Sequence, residues 1–408
     1  MKNLLVAQSG GPTAAINATL AGVIEAAGQN PDVQKIYGAC YGIKGVLEEK
    51  FINLTGRVGT SEKLDMLSRT PAAALGSCRY KLKDPKEDDS EYQKIIDIFH
   101  KHNIGYFIYI GGNDSMDTVY KLSCYCREKE IDDIAVVGAP KTIDNDLFGI
   151  DHCPGFASAA KFIATIFCEL GAEATVYDTK NVIIVEMMGR HAGWLTGAAA
   201  LAANRNGNLP YLVYLEETPF DMERFLDDVR ECLIDNRAVM VAVSEGVHDE
   251  DGVFICEKGG ARQKDVFGHS QLAGTGKILE EAVRDEIGCK VRSIELNLLQ
   301  RCASHSMSAT DIAESRELGK NAVRLAVSGQ SGQMSTLTRV EGVAQYQVEY
   351  GGVDIALVAN QEKKVPQEWI NADRNGVTQE FIDYLLPLIQ GEISSCYENG
   401  IPKYLRLK

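Results

Sequence analysis

The chain has 408 residues, enough for two or three domains and a large core. Lys and Arg number 42 against 57 Asp and Glu, a formal charge of −15. With no basic run to offset that charge, the composition argues against nucleic acid or an anionic membrane as the main partner. An acidic protein that binds anionic substrates must therefore concentrate its cations locally. The eleven cysteines are scattered, and the closest pair, Cys124 and Cys126, lacks a second pair at metal-site spacing. They read as free thiols of a cytoplasmic protein. No apolar stretch is long enough to span a bilayer, and the N-terminus leads straight into a strand, so a soluble protein is expected.

In chain order, an apolar run at 4–7 precedes Gly10-Gly11-Pro12 and an alanine-rich helix to about residue 27. The charged stretch 81–89 reads as a solvated loop before the next helix. Apolar runs at 106–110 and 134–137 stop at Gly or Pro, the pattern of buried parallel strands. Further strands are expected at 182–187, 211–215, 239–243 and 291–296. Helical patterns lie between them near 157–170, 191–203, 222–234 and 271–286. The last 70 residues are less regular, with antiparallel strands expected within 346–357 and a final helix at 379–390. This alternation predicts an α/β fold with two doubly wound, mostly parallel sheets and flanking helices. Such sheets place ligands at the carboxyl ends of their strands.

Those strand ends carry the chemistry. Gly10-Gly11-Pro12-Thr13 joins a strand to a helix, where backbone amides can approach an oxyanion; a plain turn would use the same residues. Gly111-Gly112-Asn113-Asp114-Ser115 repeats the arrangement, and Asn113 with Asp114 can hold magnesium in the sparse manner of that ion. Asp114 or Ser115 could instead simply cap the helix. Pro140-Lys141-Thr142-Ile143-Asp144-Asn145-Asp146 is less ordinary. In an extended segment Thr142, Asp144 and Asp146 share one face, and a carboxylate beside an acceptor hydroxyl can take its proton as a phosphoryl group arrives. Lys141 can neutralise charge on that group. Arg190, after the 182–187 strand, offers a fixed guanidinium for charge developing on phosphoryl oxygens. Glu245 can bond sugar hydroxyls, and Arg292 and Arg301 can pair with a substrate phosphate.

Taken in order, Ser9-Gly10-Gly11-Pro12, Leu75-Gly76-Ser77, Gly111-Gly112-Asn113-Asp114-Ser115, Pro140 to Asp146, Met188-Gly189-Arg190, Glu245-Gly246 and Gln300-Arg301 resemble the phosphofructokinase family. The match runs from Gly10 to about Gly319. The resemblance implies that Asp144 is the base acting on the 1-hydroxyl of fructose 6-phosphate. It implies that Thr142, Met188, Gly189, Arg190, Glu245, Arg292 and Arg301 surround the sugar phosphate, with Gly11 at the phosphoryl donor. ATP-using relatives have glycine at the positions of Asp114 and Lys141, so the chain looks like the pyrophosphate-dependent branch. Magnesium, a homodimer or homotetramer, and reversible formation of fructose 1,6-bisphosphate are implied with it. So is a division into a donor domain, 1–152 with about 300–376, and a sugar-phosphate domain, 153–299 with about 377–408.

Three positions depart from the family pattern. Asn113 stands where an aspartate is usual, and Leu298, near the substrate in relatives, replaces His or Tyr. Asn181 replaces an arginine that many relatives send to a neighbouring subunit, leaving Lys180 as its substitute. An ATP-dependent 6-phosphofructokinase is the alternative within enzymes. A non-catalytic sugar-phosphate binder has no use for Thr142, Asp144 and Asp146 beside Lys141. A nicotinamide dehydrogenase lacks the full glycine fingerprint here.

Overall fold

Unbroken apolar runs form strands when both faces of a sheet are covered by helices. The computed structural model describes residues 1–203, 205–259 and 274–408. Its main strands are β1 (Lys2–Gln8), β2 (Val33–Ala39), β3 (Phe51–Asn53), β4 (Ile104–Gly111), β5 (Ala135–Pro140), β6 (Asn181–Met187), β7 (Tyr211–Tyr214), β8 (Ala238–Ser244), β9 (Lys290–Glu295), β10 (Gln333–Arg339) and β11 (Val348–Asp354). Among the described residues they make a seven-stranded sheet, β11-β10-β5-β4-β1-β2-β3, and a four-stranded sheet, β7-β8-β6-β9. The second is wholly parallel. The first is parallel except where β3 and β11 pair antiparallel at its two edges. Alternate residues serve opposite faces: Leu5 and Ala7 enter one core of the first sheet, Leu4 and Val6 the other. In the second, Ile183 and Val185 oppose Val182 and Ile184.

The strands expected from the sequence all form. The antiparallel strand within 346–357 is β11, paired with β10. The helix expected at 191–203 is shorter: Trp194–Gly197 is helical and Ala198–Ala202 tightens to a 3₁₀ turn. The final helix stops at Leu385 and continues as a 3₁₀ turn through Leu386–Ile389, where Pro387 has no N–H to extend the α ladder. The helix expected at 271–286 spans Thr275–Glu286, and the part at 271–273 lies outside the described residues. One long helix escapes the sequence reading, Ala309–Val327. It is capped by Ser308, whose hydroxyl accepts from the Asp311 N–H, and packs along the Ile16–Gln29 helix.

Beyond β11 the chain serves both sheets. Phe381, Tyr384, Leu385 and Leu388 enter the second sheet's core beside Trp194. Phe381 is fully buried there, worth about 1.5–3 kcal/mol. Leu405 and Leu407 return to the first sheet's core, where the Arg57 guanidinium donates to the Leu407 carbonyl at 2.8 Å. Among the described residues no helix is long and apolar enough to cross a membrane.

A buried histidine ties the link between the sheets to the Ala309–Val327 helix. His152 is 2% exposed, with Nδ1 2.8 Å from Asp151 Oδ1 and Nε2 2.7 Å from Glu314 Oε2. Burial opposes its charge, but the hydrogen bonds to Asp151 and Glu314 together outweigh it and raise the His152 pKa above 6.5. Burial likewise opposes the Asp151 carboxylate, and His152, Arg339 and Lys363 overcome it, holding Asp151 below 3.8. A raised histidine stabilises fully below pH 6.5 and loses that contribution as pH rises through its folded value. A lowered aspartate stabilises above pH 3.8 and loses it as pH falls through its folded value. Unfolding in urea across pH should therefore show stability declining on both sides of this window. His152→Leu should abolish the upper decline and cost about 3 kcal/mol inside the window, because it removes the cation that Asp151 and Glu314 share.

Candidate active site

β1 lies between β2 and β4, so the first sheet changes winding direction between β1 and β4, where open α/β sheets bind ligands. The ends of β1, β4 and β5 open there on a cavity of about 350 Å³. Its near wall includes Gly10, Gly11, Asn113, Asp114, Lys141, Thr142, Asp144 and Asp146. The second sheet supplies the far wall, with Met188, Arg190 and His191 after β6 and Glu245 after β8. Arg301 closes the side. Thus 11 of the expected residues meet in one crevice, counting Gly11, Asn113, Asp114, Lys141, Thr142, Asp144, Met188, Arg190, Glu245, Arg301 and the expected orienting acid Asp146.

The glycines of the first turn hold their backbone against two cations. A Cβ on Gly10 would lie 3.2 Å from Lys141 Nζ, and one on Gly11 3.0 Å from Arg301 Nη1. Lys141 is 3% exposed and donates from Nζ to the Gly11 carbonyl at 2.5 Å. Burial brings its pKa down to about 8, while Asp144 and Asp146 resist that fall. The β1 turn and the end of β5 are therefore joined by a buried ammonium.

Thr142 to Asp146 are not an extended strand, which corrects the expected geometry. β5 ends at Pro140, the chain bends at Ile143 and Asp144, and Asn145 adopts φ 56°. Left-handed backbone is tolerable for asparagine, and here its side chain secures it. Asn145 Nδ2 donates to Tyr384 Oη at 3.0 Å, and Oδ1 accepts from the Cys153 N–H at 2.8 Å. The three polar side chains reach the cavity through this turn rather than through strand alternation. The Thr142 hydroxyl accepts from the Asp144 N–H at 3.1 Å. Burial first, then the neighbouring Asp146, pushes Asp144 up to about 7. Glu245, facing it from the second sheet, is pushed up to about 8 by burial and then by Asp144. Raised carboxyl pKa values clustered in a cleft are the mark of proton-transfer groups.

Asn113 and Asp146 have the donor chemistry of a magnesium site. Asn113 Nδ2 donates to Asp146 Oδ2 at 2.9 Å, which leaves Asn113 Oδ1 and Asp146 Oδ1 buried without a hydrogen-bond partner among the described residues. Two orphaned hard oxygens on a hydrogen-bonded pair of side chains suit an ion that takes one or two protein ligands and keeps water for the rest. Asp114 is the more exposed, in the first turn of the Asn113–Glu128 helix. No three His, Cys, Asp or Glu among the described residues cluster as a metal site by themselves.

On the far wall, Gly189 has φ 138°, a region open mainly to glycine. Ser244 Oγ donates to its carbonyl at 2.5 Å, and its N–H donates to Glu245 Oε1 at 3.4 Å. Gly189 itself does not line the cavity, but it turns the chain that presents Arg190. Three expected residues lie elsewhere. Lys180 precedes β6, at the opposite end of that strand from Arg190, and is exposed. Arg292 pairs with Ile183 in β9, four residues short of the Met187 strand end, and is exposed. Leu298 is 53% exposed. Arg79 and Tyr80 line the cavity and were not anticipated. The signal was the nearby Leu75-Gly76-Ser77 turn, whose Ser77 hydroxyl donates to the Gly10 carbonyl at 2.5 Å.

The phosphofructokinase family model matches residues 3–326. The chain is 40% identical over 409 aligned positions to a pyrophosphate--fructose 6-phosphate 1-phosphotransferase of Methylococcus capsulatus, covering 100% of this chain and 96% of that one. It is 40% identical to the enzyme of the same name from Halomonas elongata, over 99% of this chain and 96% of that one. Among solved structures it is similar to the pyrophosphate-dependent phosphofructokinase of Nitrosospira multiformis, with a TM-score of 0.88 and 37% identity over 99% of this chain and 96% of the other. With its two sheets, its crevice and these relatives, the chain belongs to the phosphofructokinase family.

Proposed function

We propose that the protein transfers a phosphoryl group from pyrophosphate to the 1-hydroxyl of D-fructose 6-phosphate, giving fructose 1,6-bisphosphate and phosphate in glycolysis or gluconeogenesis. The observation that carries this reading is the convergence of Asp144, Lys141 and Arg190 from two sheets on one cavity. The strand content of the two sheets supports a division into a donor half, 1–152 with about 300–376, and a sugar-phosphate half, 153–299 with about 377–408, although Leu405 and Leu407 of that last segment pack on the donor half.

Asp144 takes the proton of the sugar 1-hydroxyl, and its pKa of about 7 lets it both accept and return that proton. Thr142, Glu245, Met188 and Arg301 hold the sugar phosphate, and Gly189 turns the chain that presents Arg190. Arg190 spans the phosphoryl oxygens as charge develops on them. Lys141 stabilises the departing phosphate next to Gly11, and the reaction is reversible because neither bond broken is much richer in transfer potential than the other. Asn113 and Asp146 would hold magnesium, with Asp114 at the rim, and the ion when bound neutralises phosphate charge. Lys180, Arg292 and Leu298 are assigned to a neighbouring subunit's substrate in a homodimer or homotetramer. Their exposure away from their own cavity and the 60% exposure of adjacent Leu299 support this. A cytoplasmic location fits the eleven free cysteines.

Initial rates with magnesium pyrophosphate against magnesium ATP, at saturating fructose 6-phosphate, test the donor directly; a preference for ATP would sink the reading. Asp144→Asn should lower kcat on the order of 10²- to 10⁴-fold. Its KM for fructose 6-phosphate should stay within several-fold, so a variant that keeps near-wild-type turnover removes Asp144 from the role of base.

Donor choice is carried by two side chains. Asp114 stands beside the phosphate-binding turn, where its bulk and charge oppose the inner phosphate of a nucleotide. Asp114→Gly should therefore permit measurable ATP use. Lys141→Gly should weaken the pyrophosphate reaction by about 1.5–3 kcal/mol, the worth of one charge-assisted contact, and confer little ATP activity by itself. The double variant should use ATP better than either single one, because both positions touch the same phosphate. Undetectable ATP turnover by Asp114→Gly, with pyrophosphate turnover intact, would count against this assignment.

A further inference from the structure

The segment 362–365 carries no sequence motif, yet it is bonded to both walls of the cavity from behind. On one side the Lys363 N–H donates to the Asp146 carbonyl at 2.8 Å, and Glu362 bridges to Leu147. On the other side Trp194 Nε1 donates to the Lys363 carbonyl at 3.0 Å. The Val365 N–H donates to Glu217 Oε1 at 2.9 Å, and the Gly193 N–H donates to that same oxygen at 2.9 Å. Gly193 and Trp194 end the loop that begins at Met188 and carries Arg190.

The side chain of Lys363 completes the connection. Its ammonium donates to the Asp151 carbonyl at 2.6 Å and the Ile150 carbonyl at 3.2 Å, and it sits 5.2 Å above the Trp194 ring. A lysine buried against carbonyls and an indole face gives up hydration for fixed partners. Those partners lie in the chain just after the Thr142–Asp146 turn and at the end of the loop that carries Arg190. Glu217 is similarly placed. Its Oε2 is buried without a partner among the described residues, and its Oε1 accepts from both the Gly193 and the Val365 N–H groups.

We infer that the 362–365 segment is a brace fixing the Arg190 loop against the Asp144–Asp146 turn, with Lys363 and Glu217 as its positioning residues. This rests on the reading that Asp144 and Arg190 act on the same phosphoryl group. Neither positioning residue touches substrate. Their removal displaces one catalytic wall relative to the other, and such a shift appears in kcat rather than in ground-state binding.

The test compares Glu217→Leu with Glu217→Gln in the full chain. Glutamine keeps an acceptor oxygen for the Gly193 and Val365 amides, and leucine removes it. Glu217→Leu should lower kcat with magnesium pyrophosphate on the order of 10²-fold. Its KM for fructose 6-phosphate should stay within about threefold, and Glu217→Gln should keep kcat within about threefold. Hydrogen exchange at Gly193 and Val365 should accelerate in the leucine variant and not in the glutamine one. Lys363→Met in a Trp369→Phe background gives a second arm should Glu217→Leu not fold. Trp194 is then the only tryptophan of the two in the chain, and its emission should shift together with the same loss of kcat. Unchanged kcat in both Glu217→Leu and Lys363→Met, a loss confined to KM, or a glutamine variant as impaired as the leucine one would overturn the brace. A wild-type chain without pyrophosphate turnover would overturn the phosphotransferase reading alone. In that event exchange at Gly193 and Val365 decides the brace, accelerated supporting it and unchanged overturning it.

Discussion

The site depends on burying Lys141. An ammonium withdrawn from water must be met by fixed oxygens or it deprotonates. Here the Gly11 carbonyl and the nearby Asp144 and Asp146 meet it. That requirement pulls the first glycine turn onto the end of β5 and brings the ammonium within 3.2 Å of where a Gly10 Cβ would stand. It also places a cation beside two carboxyls that would otherwise repel each other. The lysine lowers the Asp144 pKa while burial and Asp146 raise it, and the balance leaves Asp144 near neutrality. In a chain of formal charge −15, Arg79, Lys141, Arg190 and Arg301 are gathered on the walls of one crevice.

Most of the fold was legible because the central strands bury both faces and so read as unbroken apolar runs: every residue of β5, β6 and β8 is buried. β10 escaped because its sequence, Gln-Met-Ser-Thr-Leu-Thr-Arg, offers only two large apolar side chains. The Ala309–Val327 helix escaped because polar Asp311, Glu314, Ser315 and Asn321 occupy buried positions and mask its apolar face. Asp311, Glu314 and Asn321 are satisfied by partners outside the helix, as when Asp311 accepts from the Gly155 and Ser158 N–H groups, and a local pattern does not show such partners.

The crevice residues were legible in identity and partly illegible in geometry. Thr142, Asp144 and Asp146 do share a cavity, but strand alternation is not the reason. Asn145 reverses the turn because Tyr384 and Cys153 bond its side chain, and Tyr384 lies 239 residues away. Magnesium was expected at Asn113 and Asp114, neighbours in sequence. The orphaned oxygens belong to Asn113 and Asp146, on separate strand ends. Arg79 carried a local signal in the turn at Gly76. Lys363 and Glu217 carried none, since their importance lies in which backbone groups they reach.

A cavity built at the carboxyl ends of two separate sheets gains chemical variety and takes on a mechanical problem. Hydrogen-bonded ladders fix residues within each sheet, but no ladder joins β5 to β6. Side chains and crossing segments must hold the two sets of strand ends in register. The molecule meets this need with buried polar groups: His152 between Asp151 and Glu314, Asp311 bonded to Ser158 of the Phe156–Ala174 helix, and Lys363 between the Asp151 carbonyl and Trp194. Such groups add little net stability compared with apolar packing, because desolvation offsets most of their attraction. What they supply is direction, since a hydrogen bond fails when its geometry drifts. Phosphoryl transfer depends on placement more than on any covalent step by the protein. Concentrating directional, buried polar contacts at the joint between the sheets therefore spends stability where the reaction is most sensitive to displacement.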